Sequence, residues 1–242
     1  MLEPHEVQRA LVITAHPDDV DFGAAATVAN LTDRGVEVTY CLVTDGDAGG
    51  FDQTIPRPQM AHLRREEQTR AAKEVGVEQL IFLGFGDGRV QYDLALREAL
   101  SRVIRQVRPQ LVITQSPTLD LRRIYASHPD HVATGQAAIA AVYPDARNPF
   151  AYPQLMADGL EAWTVPEVWI MSTLADPGPS VHVEDVTANV ERKIRALLCH
   201  ETQHKDPSGI DGMVRTWMSA NATKFGLPDG SAVEAFLVVE TR

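Results

Sequence analysis

The stretch ALVITAHPDD, residues 10–19, joins a run of apolar residues to a short polar turn. A short apolar run that ends at a Pro-containing turn predicts a buried strand at residues 10–14. Open α/β sheets hold their ligands at the carboxyl ends of their strands. We therefore expect the imidazole of His16 and the carboxylates of Asp18 and Asp19 to face a ligand site.

The chain around this stretch alternates between strand and helix patterns. Further strands are predicted at residues 36–43, 80–83, 111–114, 165–171, 180–183 and 233–239. Helices are predicted at residues 22–34, 59–75, 92–107, 131–142 and 189–203. The alternation predicts an α/β fold, with a Rossmann-like, mostly parallel sheet flanked by helices.

One domain is expected over residues 1–242. Residues 1–143 are expected to form the Rossmann-like core that carries the site. Residues 144–242 are expected to add a small C-terminal extension of short strands and helices. This extension would complete the fold and the substrate pocket.

Composition narrows the classes of partner. The chain carries a formal net charge of −11 and 44% hydrophobic residues, and its apolar runs are far shorter than the roughly 20 residues that span a bilayer. We expect a soluble protein with neither a nucleic acid nor a membrane as partner, because phosphate binding requires clustered Lys and Arg. Two cysteines and an N-terminus without a secretory signal pattern predict a cytoplasmic location.

A second run of the same kind, His128-Pro129-Asp130-His131, comes after the predicted strand at residues 111–114. In both runs the proline holds the preceding histidine in an extended conformation, so that the imidazole can point across the sheet edge. Three histidine and carboxylate ligands with an open position form a catalytic zinc site. Asp18, beside the ligands, is placed to take a proton from the attacking water. From the residues alone, either His128 or His131 is an acceptable metal ligand.

The two runs, in this order, resemble the zinc-dependent de-N-acetylases that act on N-acetylglucosamine-type sugars, called the LmbE or PIG-L-like family. The match also includes Arg64, Glu67, Gly76, residues 82–84, residues 87–88 and residues 193–203. The resemblance covers about residues 10–204 and implies the family's Rossmann-like fold. It also implies hydrolysis of a linear amide C–N bond, with release of an acetyl or other acyl group.

The resemblance also implies individual roles. It implies three ligands for one zinc ion per chain: His16, Asp19 and His131. It implies Asp18 as the general base, and His128 as the acid that stabilises the oxyanion or protonates the leaving amine. Asp130 is expected to orient His128 and to raise the pKa of its imidazole through opposite charge. Fe²⁺ or another divalent ion is an alternative to Zn²⁺, because these ligand types are not selective.

Substrate contacts are expected from three further residues. The resemblance places Arg64 and Asp87 where relatives hold the sugar, and a guanidinium with a carboxylate suits recognition of hydroxyl or phosphate groups. Asp45, at the end of the second predicted strand, is expected to face the site. Tyr125 matches only loosely a tyrosine that hydrogen-bonds the oxyanion in relatives. The expected partner is a small sugar or glycoconjugate, and relatives often form homo-oligomers.

Alternative functions compete with this hypothesis. Residues 200–204, HETQH, match the zinc-binding H-E-x-x-H signature of metalloproteases, although no third ligand follows. A non-hydrolytic nucleotide-binding Rossmann domain is disfavoured, because two carboxylates stand where phosphate would bind. A closed zinc module needs four ligands, and three are evident. Among hydrolases, the alternative is an amidase acting on a thiol conjugate or another non-sugar amide.

Overall fold

The computed structural model, which describes residues 2–121, 124, 127–171 and 176–241, joins seven strands in one sheet. The strands are β1 (Arg9–Thr14), β2 (Glu37–Thr44), β3 (Gln79–Phe85), β4 (Leu111–Gln115), β5 (Glu167–Met171), β6 (Val181–Asp185) and β7 (Val233–Glu240). Their order across the sheet is β3-β2-β1-β4-β5-β7-β6. Strands β1 to β5 run parallel, and β7 runs antiparallel to β5 and β6. The predicted α/β fold with a mostly parallel sheet is confirmed.

Helices cover both faces of this sheet. They are α1 (Asp19–Gly23), α2 (Ala25–Asp33), α3 (Arg57–Glu74), α4 (Leu94–Val107), α5 (Pro129–Ala140), α6 (Pro153–Ala157), α7 (Val190–Leu198) and α8 (Ile210–Lys224). Val12 of β1 belongs to a core cluster with Val28 of α2 and Ala72 of α3. Its neighbour Ile13 belongs to a second cluster with Leu100 of α4 and others from α5. Because successive strand residues point to opposite faces, β1 is buried on both.

The strand order reverses direction at β1. This strand pairs with β2 on one side and with β4 on the other, and Ile13 lies in register with both Cys41 and Thr114. Connections from β1 and β4 therefore leave the sheet on opposite sides, which opens a crevice at the carboxyl ends of the two strands. The two His-Pro-Asp runs follow these strands, so the topology brings them to one edge.

Two predicted helices differ in the structure, and two observed helices, α6 and α8, were not predicted. The helix expected at residues 22–34 is divided between α1 and α2, because Ala24 has a non-helical φ of −150°. The helix expected at residues 189–203 ends at Leu198, and a single 3-10 turn follows it. Helix α8 is missing from the predictions, because Gly212, Ser219 and Asn221 weaken its helical propensity.

Both portions of the chain contribute to the sheet. Strand β4, which precedes residue 143, pairs over five residues with β5, which follows it. This pairing supports the proposal of one domain over residues 1–242. In the part of the chain that the structure describes, no helix has the length and hydropathy needed to cross a membrane.

Candidate metal centre

The turn after β1 has a strained backbone. Asp18 has a φ of 86°, in the left-handed region that L-residues rarely adopt. The next residue closes the turn, because the Oδ2 atom of Asp19 accepts a hydrogen bond from the backbone N–H of His16 at 2.7 Å. Helix α1 then begins at Asp19. The turn thereby presents His16 and both carboxylates within four residues.

The turn before α5 uses the same first three residue types with a different backbone. His128 caps this helix with φ −52° and ψ 138°, and Pro129 occupies its first position. The Nδ1 atom of His128 accepts a hydrogen bond from the backbone N–H of Asp130 at 3.1 Å. A neutral His128 ring therefore carries its proton on Nε2.

Four donor atoms of three residues lie close together at these turns: His16 Nδ1, His131 Nε2 and both carboxylate oxygens of Asp19. His16 Nδ1 lies 3.2 Å from His131 Nε2 and 3.3 Å from Asp19 Oδ2. His131 Nε2 lies 3.0 Å from Asp19 Oδ1. A tetrahedral zinc ion with ligand bonds of about 2.0–2.1 Å sets its ligand atoms about 3.3 Å apart. The 3.2 Å between the two imidazole nitrogens fits such an ion, and each nitrogen has one oxygen of Asp19 at a similar distance.

The other nitrogen of His16 faces two carboxylates. Its Nε2 atom lies 3.1 Å from Asp87 Oδ1 and 3.2 Å from Asp130 Oδ2. The Asp130 carboxylate also accepts from the backbone N–H groups of Gly88 and Val90, at 2.7 and 3.2 Å. A carboxylate that accepts the second N–H of a metal-binding histidine fixes the ring orientation and strengthens the ligand.

Among the residues that the structure describes, two groups of potential metal donors share His16. Within each group the donor atoms lie within 4.8 Å of one another: His16, His128 and His131 in one, and His16, Asp87 and Asp130 in the other. We favour the Nδ1 side of His16, because two imidazole nitrogens lie 3.2 Å apart there and Asp19 places one carboxylate oxygen within 3.3 Å of each. On the Nε2 side, one imidazole nitrogen faces two carboxylates, an arrangement that suits hydrogen bonding from its N–H.

The charges in this cluster shift one another's pKa values. Burial acts to lower the pKa of His16, yet hydrogen bonds to Asp130, Asp19 and Asp87 raise it to about 12. Burial acts to raise the pKa of Asp19, but His131 holds that pKa well below its usual range. Burial likewise opposes ionisation of Asp87, but its hydrogen bond with His16 lowers the pKa to about 2. The site concentrates negative charge around the imidazoles, and a cation stabilises such an arrangement.

Asp18 is held by helix α3. Its Oδ2 atom lies 3.0 Å from the Nη2 atom of Arg64, which also donates to the backbone carbonyl of Pro17. The Nη1 atom of Arg64 donates to the carbonyl of Gly46 at 2.9 Å. Burial raises the pKa of Asp18, and the Arg64 guanidinium opposes that rise.

The prediction that the charge of Asp130 leaves the His128 imidazole with a raised pKa is wrong, although the backbone N–H of Asp130 does contact that ring. The carboxylate is directed at His16 and at two backbone N–H groups, and only the backbone N–H of Asp130 reaches His128. The pKa of His128 is lowered and not raised, because burial and the neighbouring His16 and His131 outweigh the charge of Asp130.

Two predicted sugar contacts have other partners. Arg64 is 4% exposed, and its guanidinium contacts Asp18 and backbone carbonyls, so the geometry favours a positioning role. Both carboxylate oxygens of Asp45 accept from the Arg65 guanidinium, at 2.8 and 2.9 Å, which leaves Asp45 turned toward α3. Asp87 lies in the cluster behind His16, and its contact with a sugar stays a prediction. Tyr125 falls outside the described residues.

The metalloprotease hypothesis for residues 200–204 is wrong. His200 and His204 do not share a helix, because the chain between them forms a 3-10 turn and His204 is extended. His200 is completely buried and its Nε2 atom lies 2.8 Å from Asp21 Oδ2. The Nε2 atom of His204 contacts the carbonyl of Leu197 at 2.9 Å. The two rings therefore have separate partners.

Sequence reasoning missed Gln68 and Asp21. The Oε1 atom of Gln68 accepts from the backbone N–H of Asp18 at 2.8 Å, and its Nε2 atom donates to Asp21 Oδ2 at 2.9 Å. A signal was present, because Gln68 comes four residues after Arg64 and so lies on the same face of α3.

A family model described as GlcNAc-PI de-N-acetylase, PIG-L, matches residues 11–142. The chain belongs to this family. The PIG-L match contains both turns, all of β4 and residues 11–14 of β1. It confirms the predicted enzyme class, a hydrolase of amide C–N bonds.

Individual relatives agree with the PIG-L assignment. Diacetylchitobiose deacetylase of Thermococcus kodakarensis is 35% identical over 199 residues, which cover 82% of this chain and 71% of the relative. The 1D-myo-inositol 2-acetamido-2-deoxy-alpha-D-glucopyranoside deacetylase of Rhodococcus erythropolis is 30% identical, with 84% of each chain covered. Among solved structures, N,N'-diacetylchitobiose deacetylase from Pyrococcus horikoshii superposes with a TM-score of 0.87 at 27% identity, covering 98% of this chain and 85% of that one.

Proposed function

We propose that this chain is a zinc-dependent de-N-acetylase that removes the acetyl group from the amine of an N-acetylglucosamine-type sugar conjugate. The observation that carries the proposal is a triangle of three residues, His16, His131 and Asp19. His16 Nδ1 and His131 Nε2 lie 3.2 Å apart, and each lies 3.0–3.3 Å from a different carboxylate oxygen of Asp19. The relatives supply the substrate class, because each is named for deacetylation of such a sugar.

The residues at the triangle suit a zinc ion. His16, Asp19 and His131 would hold it, and Asp87 and Asp130 would fix the orientation of His16 through its Nε2–H. When bound, the ion supplies a Lewis acid that polarises the acetyl carbonyl and makes water more acidic. Three protein ligands leave an open position, as catalysis requires.

Asp18 is the general base in this proposal. Its carboxylate is 17% exposed, adjoins the ligand Asp19 and is held by Arg64, so it can accept a proton from the attacking water. Burial raises its pKa, and a carboxylate with a raised pKa is a stronger base. The same carboxyl group then returns the proton to the leaving nitrogen as the C–N bond breaks.

His128 is the oxyanion donor in this proposal. Its Nδ1 atom accepts a backbone N–H, so the neutral ring offers Nε2–H as a donor. As the water oxygen bonds to the carbonyl carbon, negative charge develops on the acetyl oxygen, and a positioned N–H stabilises it. Collapse of this species breaks the C–N bond and yields acetate and the free amine.

Release of primary amine from a small panel of amides tests the proposal. The panel contains N,N'-diacetylchitobiose, an N-acetylglucosaminyl inositol and the N-acetyl amide of a cysteine conjugate. We expect release from the two sugars, loss of activity with chelator and recovery with added zinc. Release from the cysteine conjugate alone would replace the sugar substrate with a thiol conjugate, and activity unaffected by chelator would contradict the metal mechanism.

Further parts of the hypothesis stay predictions: a cytoplasmic location, a homo-oligomeric assembly and zinc, in place of Fe²⁺, as the native ion. The unpaired Cys41 and Cys199 accord with a reducing compartment.

A further inference from the structure

The backbone conformation of Asp18 requires an explanation. Its φ of 86° is one of three positive values at non-glycine residues among the residues described, and it lies beside the proposed zinc ligand Asp19. Such a conformation persists at functional sites only where the surrounding structure holds it in place.

One side chain contacts the backbone of Asp18 itself. The Oε1 atom of Gln68 accepts its N–H at 2.8 Å. Arg64 reaches the same turn, but it contacts the carboxylate of Asp18 and the carbonyl of Pro17. Gln68 therefore binds the backbone N–H of Asp18, and Arg64 binds its carboxylate.

The orientation of the Gln68 amide is set by the buried pair of Asp21 and His200. Its Nε2 atom donates to Asp21 Oδ2 at 2.9 Å, and the Nε2 atom of His200 lies 2.8 Å from the same oxygen. Gln68, Asp21 and His200 are each 0% exposed, so water does not compete for these bonds. Because Asp21 is an acceptor, it orients the Gln68 amide with Oε1 toward Asp18.

Helix α3 also holds the segment that carries His200. The two carboxylate oxygens of Glu67 accept from the backbone N–H and the hydroxyl of Thr202, both at 2.8 Å. His200 thereby reaches the core beside α3 from a segment distant in sequence. The buried pair of Asp21 and His200 is weak evidence for a purely stabilising role, because desolvation of the two groups opposes its formation.

We propose that Gln68, backed by Asp21 and His200, is a positioning residue that keeps the Asp18 carboxylate directed at the attacking water. This inference rests on the proposed function. Gln68 is 0% exposed and its amide contacts Asp18 and Asp21, so it acts through the backbone of the proposed general base. Misplacement of a catalytic group by about 1 Å can lower a rate about 10²-fold, so its loss should be seen in kcat.

The test compares Gln68→Met with a matched buried amide. Gln68→Met keeps the side-chain length and removes both hydrogen bonds; we expect kcat to fall about 10- to 100-fold, with KM within about twofold and zinc content unchanged. The control is Asn189→Leu, which removes a buried amide that donates to Asn30 and Asp33, and it should lower the melting temperature without changing kcat. A normal kcat in Gln68→Met, or a loss matched by loss of zinc, would overturn the proposal.

A second pair of variants tests the same proposal in case Gln68→Met does not fold. His200→Leu should lower kcat about 10-fold, whereas His200→Gln, whose amide nitrogen can replace Nε2, should recover most of it. Equal activities in the two variants would contradict the proposed chain of contacts.

A crystal structure of Gln68→Met gives a readout independent of activity. We expect the φ of Asp18 to leave the left-handed region, and its retention would overturn the proposal. If the wild type released no amine from any panel member, the proposed function would fail while this structural result would still decide the positioning role.

Discussion

The two His-Pro-Asp turns share three residues and differ in what the third one does. In the first turn, Asp18 is left-handed, its N–H bonds Gln68 and its carboxylate meets Arg64. In the second turn, Asp130 is helical, its N–H bonds His128 and its carboxylate supports His16. In the proposed mechanism, Asp18 is the base beside the open site, and Asp130 lies behind the ligand His16.

Contacts with segments that are distant in sequence account for this difference between the two turns. Helix α3 approaches the first turn and supplies a cation and an amide acceptor. The segment after β3 approaches the second turn and supplies the backbone N–H groups of Gly88 and Val90. The same short motif thus acquires a different chemical role from the elements packed against it.

The largest effect is expected at the first aspartate. Asp18→Asn removes the proton acceptor, and we expect kcat to fall by about 10³-fold, within the usual range for a general base. The variant should still bind one zinc per chain, because the substitution leaves the triangle of donors intact. Metal analysis and amine release on the same preparation check both parts. Activity near the wild-type level would remove Asp18 from the mechanism.

The next largest effects are expected at His16 and His128, the first histidines of the two turns. His128→Ala should lower kcat about 10²-fold, the size of one lost oxyanion donor, while zinc is retained. His16→Ala should abolish zinc binding. Zinc titration by calorimetry separates the two outcomes. Loss of zinc from His128→Ala would make His128 a ligand and would contradict the proposed ligand set.

An Asp→Asn substitution at Asp130, the aspartate of the second turn, should lower the affinity for zinc and leave kcat at saturating zinc little changed. Asp130→Asn weakens the support of His16, and we expect zinc affinity to fall about 10- to 100-fold. At saturating zinc, kcat should return to within about threefold of the wild type, unlike that of Asp18→Asn. A kcat that stays low at saturating zinc would mean that the two aspartates share one role.

A smaller effect is expected where α3 meets the first turn. A Cβ atom at Gly46, which has a φ of 66°, would lie 2.3 Å from the Nη1 atom of Arg64. Gly46→Ala should displace that guanidinium and lower kcat about 10-fold. Gly84→Ala is the matched control, because Gly84 has a similar φ of 72° and no atom within 4 Å of a Cβ. Steady-state kinetics of both variants test this prediction. Equal losses of kcat in the two variants would point to backbone strain alone.

The fold and the position of the site follow from local signals in the sequence. Apolar runs such as residues 10–14 predict strands, and each His-Pro-Asp run follows one of them. Helix α8 gave a weaker signal, although its buried residues recur every four positions from Ile210 to Ala222. The roles of Asp130, Asp45 and His200 depended on partners far along the chain, and no local pattern carries that information.

Anomalous diffraction at the zinc edge, on crystals of the zinc-loaded protein, tests the central claim most directly. We predict one peak bonded to His16 Nδ1, Asp19 and His131 Nε2, at the usual zinc distances of about 2.0–2.2 Å. A peak on the opposite side of the His16 ring, between Asp87 and Asp130, would contradict the proposed metal centre.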